Sequence, residues 1–94
     1  MTVVIKVQQD GATKYVRFRP SCFARDCLCD DAKDAQGFAS FADPAIGQHL
    51  DGFIVPGAKW WPKSGVKVDA EPELVEIEIA VRELSSIPAS QYSR

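Results

Sequence analysis

Apolar and polar residues alternate along residues 2–19 in two runs that are separated by Asp10 and Gly11. This period of two is typical of β-strands, and an Asp-Gly pair supplies the positive φ angles of a two-residue primed turn. The sequence therefore predicts a β-hairpin over these residues, in which Lys6 lies opposite Tyr15. One face of the hairpin should be apolar, and the other should be basic and aromatic.

Residues 21–42 place apolar side chains on one arc of a helical wheel at about 100° per residue. The arc collects the following residues: Phe23, Ala24, Cys27, Leu28, Ala32, Ala35, Phe38, Ala39, Phe41 and Ala42. The pattern predicts a long helix that is N-capped by Ser21 and is either continuous or broken at Gly37. A second start signal, an N-cap aspartate followed by proline, predicts a short helix over residues 44–50.

The C-terminal half contains another strand pattern. Apolar residues alternate with charged or small residues over 75–82, which helical periodicity does not produce. Shorter strands are expected at 53–55 and 66–68, between turn signals rich in proline and glycine. If the strand over 75–82 joins the hairpin, Glu76 and Glu78 should lie on the hairpin's basic face.

Together these elements predict an α+β fold, a two-layer sandwich with an antiparallel sheet of three to four strands. The N-terminal hairpin and the C-terminal strand form the sheet, and one long or broken helix and one short helix cover one face. The chain has 94 residues, enough for a single domain, which we place over residues 1–84. Residues 85–94 are polar and predict a loose C-terminal tail, in which Ile87 and Tyr92 are able to dock.

Composition narrows the classes of function. Hydrophobic residues make up 46% and charged residues 26% of the chain, as in ordinary folded proteins. No apolar run approaches the ~20 residues of a membrane span, and the first residues lack a signal-peptide core, so we expect a cytoplasmic protein. The net charge of −2 gives weak long-range attraction for a polyanion.

Three cysteines, Cys22, Cys27 and Cys29, lie close together and raise the question of a metal or thiol site. In the predicted helix Cys22 and Cys29 are about 10 Å apart, too far for a disulfide or for one zinc ion. A loop would instead allow a zinc site with His49, although the usual Cys-x₂-Cys spacing is missing. Cys22 is the best nucleophile candidate, with His49 as the only histidine to act as its base. We expect reduced thiols, no metal, no cofactor and no catalytic residue.

A loop around Trp60 and Trp61 is the first candidate surface for binding a protein partner. Lys59 and Lys63 flank the two tryptophans, and adjacent residues rarely both point into a core. Tryptophan is enriched at interface hot spots, so an exposed indole here would anchor a partner. The alternative is that one indole caps the core and the other packs under the tail.

An acidic stripe is the second candidate surface. Asp26, Asp30 and Asp34 recur every four residues and would line one edge of the predicted helix. Solvated aspartates are the ordinary interpretation, and engagement of a basic groove on a partner is the functional one. A small domain with such surfaces and no catalytic set fits a non-catalytic interaction module, such as a stoichiometric inhibitor or regulator.

A single-stranded nucleic-acid-binding domain is the alternative function. The basic and aromatic face of the hairpin would hold phosphates and stack bases through Lys6, Tyr15, Arg17 and Arg19. The acidic balance of the chain and the glutamates expected on that face argue against it. A homodimer is also compatible with the sequence, because the open edges of a small sheet can pair between two copies.

Overall fold

The computed structural model describes residues 2–20, 27–58, 65–78 and 82–92 of the chain. These residues contain seven β-strands, which run as follows: β1 Thr2–Gln9, β2 Ala12–Val16, β3 Leu28–Cys29, β4 Phe53–Ile54, β5 Val66–Lys67, β6 Glu73–Ile77 and β7 Glu83–Pro88. They also contain the α-helix α1, Pro44–Leu50, and two 3₁₀ turns at Ala32–Asp34 and Ala89–Gln91.

Five of these strands form one antiparallel sheet in the order β3-β2-β1-β6-β7, and β4 and β5 form a separate parallel pair. The chain is therefore a mixed α and β protein built on an antiparallel sheet, as predicted. The prediction was wrong in its details, since the described residues contain more strands and fewer helical residues than expected.

The N-terminal hairpin forms with the predicted turn and register. Asp10 and Gly11 adopt φ angles of 52° and 80°, and Lys6 lies opposite Tyr15. The turn is also held from outside, because the carboxylate of Asp69 accepts hydrogen bonds from the backbone N–H groups of Asp10 at 3.1 Å and Gly11 at 2.8 Å. The local turn signal and a distant carboxylate thus fix the same conformation.

The main core lies on one face of the sheet, here called the inner face, which carries Val3 and Ile5. Its buried residues are Val3, Ile5, Val7, Val16, Phe38, Ile46, Leu50, Phe53, Val55, Val68, Leu74, Ala89 and Tyr92. Helix α1 confirms the predicted short helix and contributes two of these side chains, Ile46 and Leu50, both fully buried. The Asp43 side chain caps it by accepting a hydrogen bond from the N–H of Ala45 at 3.0 Å.

The long helix predicted over residues 21–42 is absent from its described part, residues 27–42. This part of the chain forms β3, a 3₁₀ turn and an isolated bridge in which Phe38 and Val3 exchange two backbone hydrogen bonds of 2.9 and 2.8 Å. Ala39 and Ala42, both on the predicted apolar arc, are exposed. Aspartate, cysteine and glycine are weak helix formers, and pairing with the sheet satisfies the backbone of this segment instead.

The opposite face of the sheet, here called the outer face, carries Lys6 and is partly covered. Val4, Val75 and Ile77 form a second small buried cluster there with Ala32, from the 3₁₀ turn, and the half-buried Tyr15 and Ala35 pack against it. The predicted layout of two layers with one covered face is therefore incomplete. The segment around the 3₁₀ turn, which contributes Ala32 and Ala35, adds a thin third layer over part of the outer face.

The faces of β6 are the reverse of the prediction. Val75 lies opposite Val4, and Glu76 lies opposite Val3. Glu76 thus belongs to the inner face at its margin, while Glu73 is the residue opposite Lys6. Because side chains alternate between faces along a strand, a pairing shifted by one residue moves every side chain to the other face.

The first residues of the expected C-terminal tail lie in a strand. Residues 83–88 form β7, so the domain boundary expected between residues 84 and 85 falls inside a strand. Beyond it, Tyr92 is buried and its hydroxyl donates a 2.6 Å hydrogen bond to the carbonyl oxygen of Asp43. This contact ties the C-terminal segment to the start of α1.

The short strands β4 and β5 agree with the strands expected at 53–55 and 66–68. They pair in parallel with Phe53 opposite Val66. Gly52, just before β4, lies so close to the carbonyl oxygen of Pro20 that a Cβ atom would collide with it. Within the described part of the chain, no helix has the length and apolar character needed to cross a membrane.

Candidate partner-binding surface

The predicted tryptophan surface, comprising Lys59, Trp60, Trp61 and Lys63, lies outside the described residues. The chain on either side of it is anchored. Ala58 packs against the inner core, and the N–H of Val66 donates a 2.8 Å hydrogen bond to Gly52. Exposure of the tryptophans remains a prediction.

The predicted acidic stripe does not have the predicted geometry. Asp26 lies outside the described residues, and Asp30 and Asp34 do not share a helix. The carboxylate of Asp30 pairs with the ammonium group of Lys14 on β2, whereas Asp34 lies in the 3₁₀ turn. Asp30 is consequently partly neutralised within the chain, and a binding role for these aspartates remains a prediction.

Lys6 is the central cation of the outer face, and it already has a partner. Its Nζ atom donates a hydrogen bond of 3.0 Å to Oε1 of Glu83. This hydrogen bond raises the pKa of Lys6 above its ordinary value, with partial burial acting in the opposite direction. With Lys14 paired to Asp30 as well, both described lysines of β1 and β2 are compensated by carboxylates from other strands or turns.

Tyr15, the aromatic residue predicted for the outer face, is half-buried and packs against the cluster that includes Val4 and Ala32. Its backbone lies opposite Cys29 of β3. A base that stacks on an aromatic ring needs an open ring face. The third layer therefore reduces the area of the Tyr15 ring on which a base could stack.

The chain after β2 forms a different surface, here called the Phe18 rim and defined by Arg17, Phe18 and Arg19, of which Phe18 and Arg19 are exposed and Arg17 is half-buried. β2 ends at Val16, earlier than the alternation predicts. The N–H groups of Arg17 and Phe18 both donate to the carbonyl oxygen of Cys27, at 2.7 and 3.2 Å. The Arg17 guanidinium carbon lies 4.6 Å from the centre of the Phe18 ring, and Phe18 is 53% exposed.

β7 provides a second exposed feature at the opposite end of the sheet. Its residues from Glu83 to Ser86 are exposed, and Leu84 retains 42% of its accessible surface. The register between β6 and β7 shifts at Glu76 and Ile77, which leaves Leu84 as the extra residue of a β-bulge. Leu84 and Phe18 are the exposed large apolar side chains among the described residues.

The two described thiols are shielded from solvent to different extents. Cys27 is buried, and burial raises the pKa of the half-buried Cys29 thiol. A raised thiol pKa lowers the fraction of reactive thiolate near neutral pH. The sulfur of Cys29 lies 3.3 Å from the carbonyl oxygen of Asp31, and the other predicted nucleophile, Cys22, lies outside the described residues.

His49, the predicted base for a thiol, contacts the backbone of α1 and the ring of Phe38. Its Nδ1 atom is 2.9 Å from the carbonyl oxygen of Ala45, one turn earlier in α1. Its ring meets Phe38 edge to face with centroids 5.0 Å apart. Across residues 2–20, 27–58, 65–78 and 82–92, no three His, Cys, Asp or Glu side chains are grouped so that they could hold a metal ion.

Two shallow cavities lie at opposite ends of the sheet. The larger, about 440 Å³, is lined by Asp10, Ile54, Pro56, Lys67, Val68 and Asp69. Both carboxylate oxygens of Asp69 already bind the hairpin turn, so this acid has a structural role there. The smaller cavity, about 270 Å³, lies between Val3, the 39–41 segment and Glu76.

Sequence reasoning missed Phe18 and Leu84 as candidate contact residues. The alternation along residues 2–19 predicts Phe18 on the apolar face of the hairpin, opposite Val3. Leu84 is the last residue of the predicted domain, directly before the polar residues 85–94 that predict a loose tail. The sequence contains a signal that could have identified this strand. Residues 83–86 follow a predicted strand directly and have a low apolar content, and such a content is also typical of an edge strand exposed to solvent.

Comparisons of the chain with protein-family models, with curated proteins and with solved structures find no match.

Proposed function

We propose that this chain is a non-catalytic protein-interaction module that acts as a small stoichiometric inhibitor or regulator of a larger protein. The observation that carries the proposal is the Phe18 rim. An exposed aromatic ring with a guanidinium group stacked on it combines the residue types that dominate interface hot spots. The shared acceptor at Cys27 fixes the backbone of the rim before binding, which lowers the entropy lost on association.

The tryptophan loop extends the proposed interface. Trp60 and Trp61 supply further aromatic anchors, and Lys59 and Lys63 supply charges that favour an acidic partner surface. Asp26, Asp30 and Asp34 are proposed to steer association rather than to anchor the complex, because exposed charges act mainly on the association rate.

Single-stranded nucleic-acid binding is the less favoured function. Lys6 and Lys14 are paired with Glu83 and Asp30, so binding of a phosphate at either lysine would have to compete with an existing carboxylate. Tyr15 is half-buried, and the net charge of the chain is −2. Of the two arginines of the predicted nucleic-acid face, Arg19 is exposed and Arg17 is half-buried.

The test is affinity capture from a lysate of the native cell, with and without nuclease, followed by mass spectrometry and by kinetics with the recovered partner. Phe18→Ala, Trp60→Ala and Trp61→Ala should each speed dissociation, by roughly tenfold or more at a true hot spot. Gln48→Ala, on the exposed side of α1, is the matched control and should leave the kinetics unchanged.

The charge variants give a separate readout. Replacing Asp26, Asp30 and Asp34 together by Ser should slow association and weaken its salt dependence, with dissociation nearly unchanged. Recovery that disappears after nuclease treatment would instead support nucleic-acid binding. Dissociation rates unaffected by all three aromatic variants would show that neither the rim nor the loop is the binding site.

A further inference from the structure

The two edges of the sheet differ in length and protection. β3 has two residues, whereas β7 has six and, among the described residues, no strand pairs with it on the side away from β6. Natural edge strands are usually blunted by lysines, prolines, β-bulges or coverage. The bulge of β7 lies at Leu84, so residues 85–88 keep a regular register with β6. β7 contains no lysine or arginine, and its single proline, Pro88, is its last residue.

The direction of the backbone groups in β7 can be derived from its C-terminal end. The N–H of Ala89 donates a 2.8 Å hydrogen bond to Pro72, on the side of β6. Because these directions alternate along an extended chain, Ser86 points its N–H and C=O groups away from β6. Pro88 points its carbonyl oxygen the same way and has no N–H to leave unsatisfied.

The sequence of β7 is compatible with pairing to itself. A two-fold axis perpendicular to the sheet places the inner faces of the two copies on the same side. Residues that lie opposite each other in an antiparallel pair share a face, so this axis must place one residue opposite its own copy and not opposite its neighbour in sequence. With the axis at Ser86, the two Ser86 residues exchange backbone hydrogen bonds, and Leu84 lies opposite Pro88 of the second copy. Ser85 then lies opposite Ile87 of that copy.

This register also avoids repulsion between like charges. Glu83 is the charged residue of β7, and in this pairing the two copies of Glu83 are six residues apart along the strands, roughly 20 Å. That separation exceeds the screening length at physiological salt. Each Glu83 in addition remains bound to Lys6 of its own chain.

We propose that two copies of this chain associate through antiparallel pairing of their β7 strands about Ser86, which joins the two sheets into one. Leu84 is buried against Pro88 of the second copy. Pairing through a strand of six residues gives a small interface, so the dimer depends on protein concentration. This inference goes beyond the proposed function and does not depend on it.

Sedimentation velocity over a roughly thousandfold range of protein concentration tests the association. The unmodified chain should shift from monomer to dimer. Ser86→Pro removes the outward N–H without touching the bonds to β6, and should weaken dimerisation roughly tenfold or more. Ser86→Ala keeps the backbone donor and should dimerise like the unmodified chain. Leu84→Lys should also favour the monomer, with circular dichroism confirming that each variant is folded.

A cysteine pair tests the register and keeps the proposal testable if Ser86→Pro does not fold. At the axis, Ser86→Cys places two thiols within disulfide reach, whereas Ser85→Cys leaves its two Cα atoms about 8 Å apart, too far. Mild oxidation should therefore cross-link the first variant and not the second, with the unmodified chain as the background for the native cysteines. Cross-linking of Ser85→Cys alone would overturn the register.

A chain that stays monomeric throughout the concentration range would overturn the self-association. A second result would also overturn the self-association: Ser86→Pro abolishes capture of a different protein while the unmodified chain remains monomeric. In that case β7 pairs with a strand of that partner.

Discussion

The two faces of the sheet are stabilised in different ways. The inner face is covered by α1, the β4 region and the C-terminal Tyr92, and its buried side chains form one large apolar cluster. The outer face has a small cluster under the 3₁₀ turn, and beside it the ion pair between Lys6 and Glu83. The inner face therefore supplies most of the stability, and on the outer face the ammonium group of Lys6 is already bound to Glu83. Binding is therefore expected at the margins of the sheet.

The largest expected effect is on the inner face. Leu50→Ala removes a fully buried side chain of α1 and should lower the free energy of unfolding by about 2–5 kcal/mol. Chemical denaturation followed by circular dichroism measures this change. A loss below ~1 kcal/mol would mean that α1 does not pack against the sheet as described.

Two adjacent valines compare the faces directly. Val3 and Val4 are both almost fully buried, Val3 in the inner cluster and Val4 in the outer one. Each Val→Ala change removes the same atoms, so both should destabilise by ~1–3 kcal/mol. We expect the larger loss for Val3→Ala, since the short segment over Val4 can relax into the cavity. Equal losses would show that both layers are equally rigid.

A pair of tyrosines gives a smaller contrast. Tyr92→Phe loses the 2.6 Å hydrogen bond to Asp43 and leaves that carbonyl group without it, which should cost about 1–2 kcal/mol. Tyr15→Phe is the control on the outer face, where the structure gives the hydroxyl no hydrogen bond within the described residues. Its effect on thermal unfolding should be close to zero. A larger effect at Tyr15 would reverse the comparison.

The smallest effect concerns the ion pair between Lys6 and Glu83. The folded state raises the pKa of Lys6, so the stabilisation is fully present below the ordinary lysine pKa of 10.5 and is lost as pH rises through the higher folded value. Unfolding midpoints measured between neutral and strongly alkaline pH should fall more for the unmodified chain than for Glu83→Gln. Identical pH profiles would mean that the pair contributes nothing to stability.

Local signals predicted local structure well. The turn at Asp10-Gly11 and the cap and proline at the start of α1 act within a few residues, and both form as predicted. The faces of β6 depend instead on its register with β1, a contact between distant residues that alternation alone does not determine.

The failed long helix has a related cause. A wheel drawn for residues 21–42 tests only compatibility with one helix. It cannot show that Phe38 pairs with Val3 through its backbone, or that Leu28 belongs to a strand beside β2. Tertiary pairing overrode a weak local preference, and the acidic stripe that depended on the helix lost its geometry with it.

The most direct test of where this molecule binds is site-specific photocrosslinking in the native cell. Benzoylphenylalanine replaces Phe18 on the rim in one variant and Thr13, an exposed residue of the outer face opposite Gln8, in the other. We predict a covalent protein adduct from position 18 that resists nuclease, and none from position 13. An adduct from position 13 with none from position 18, or an adduct to nucleic acid, would contradict a protein-binding site at the sheet margin.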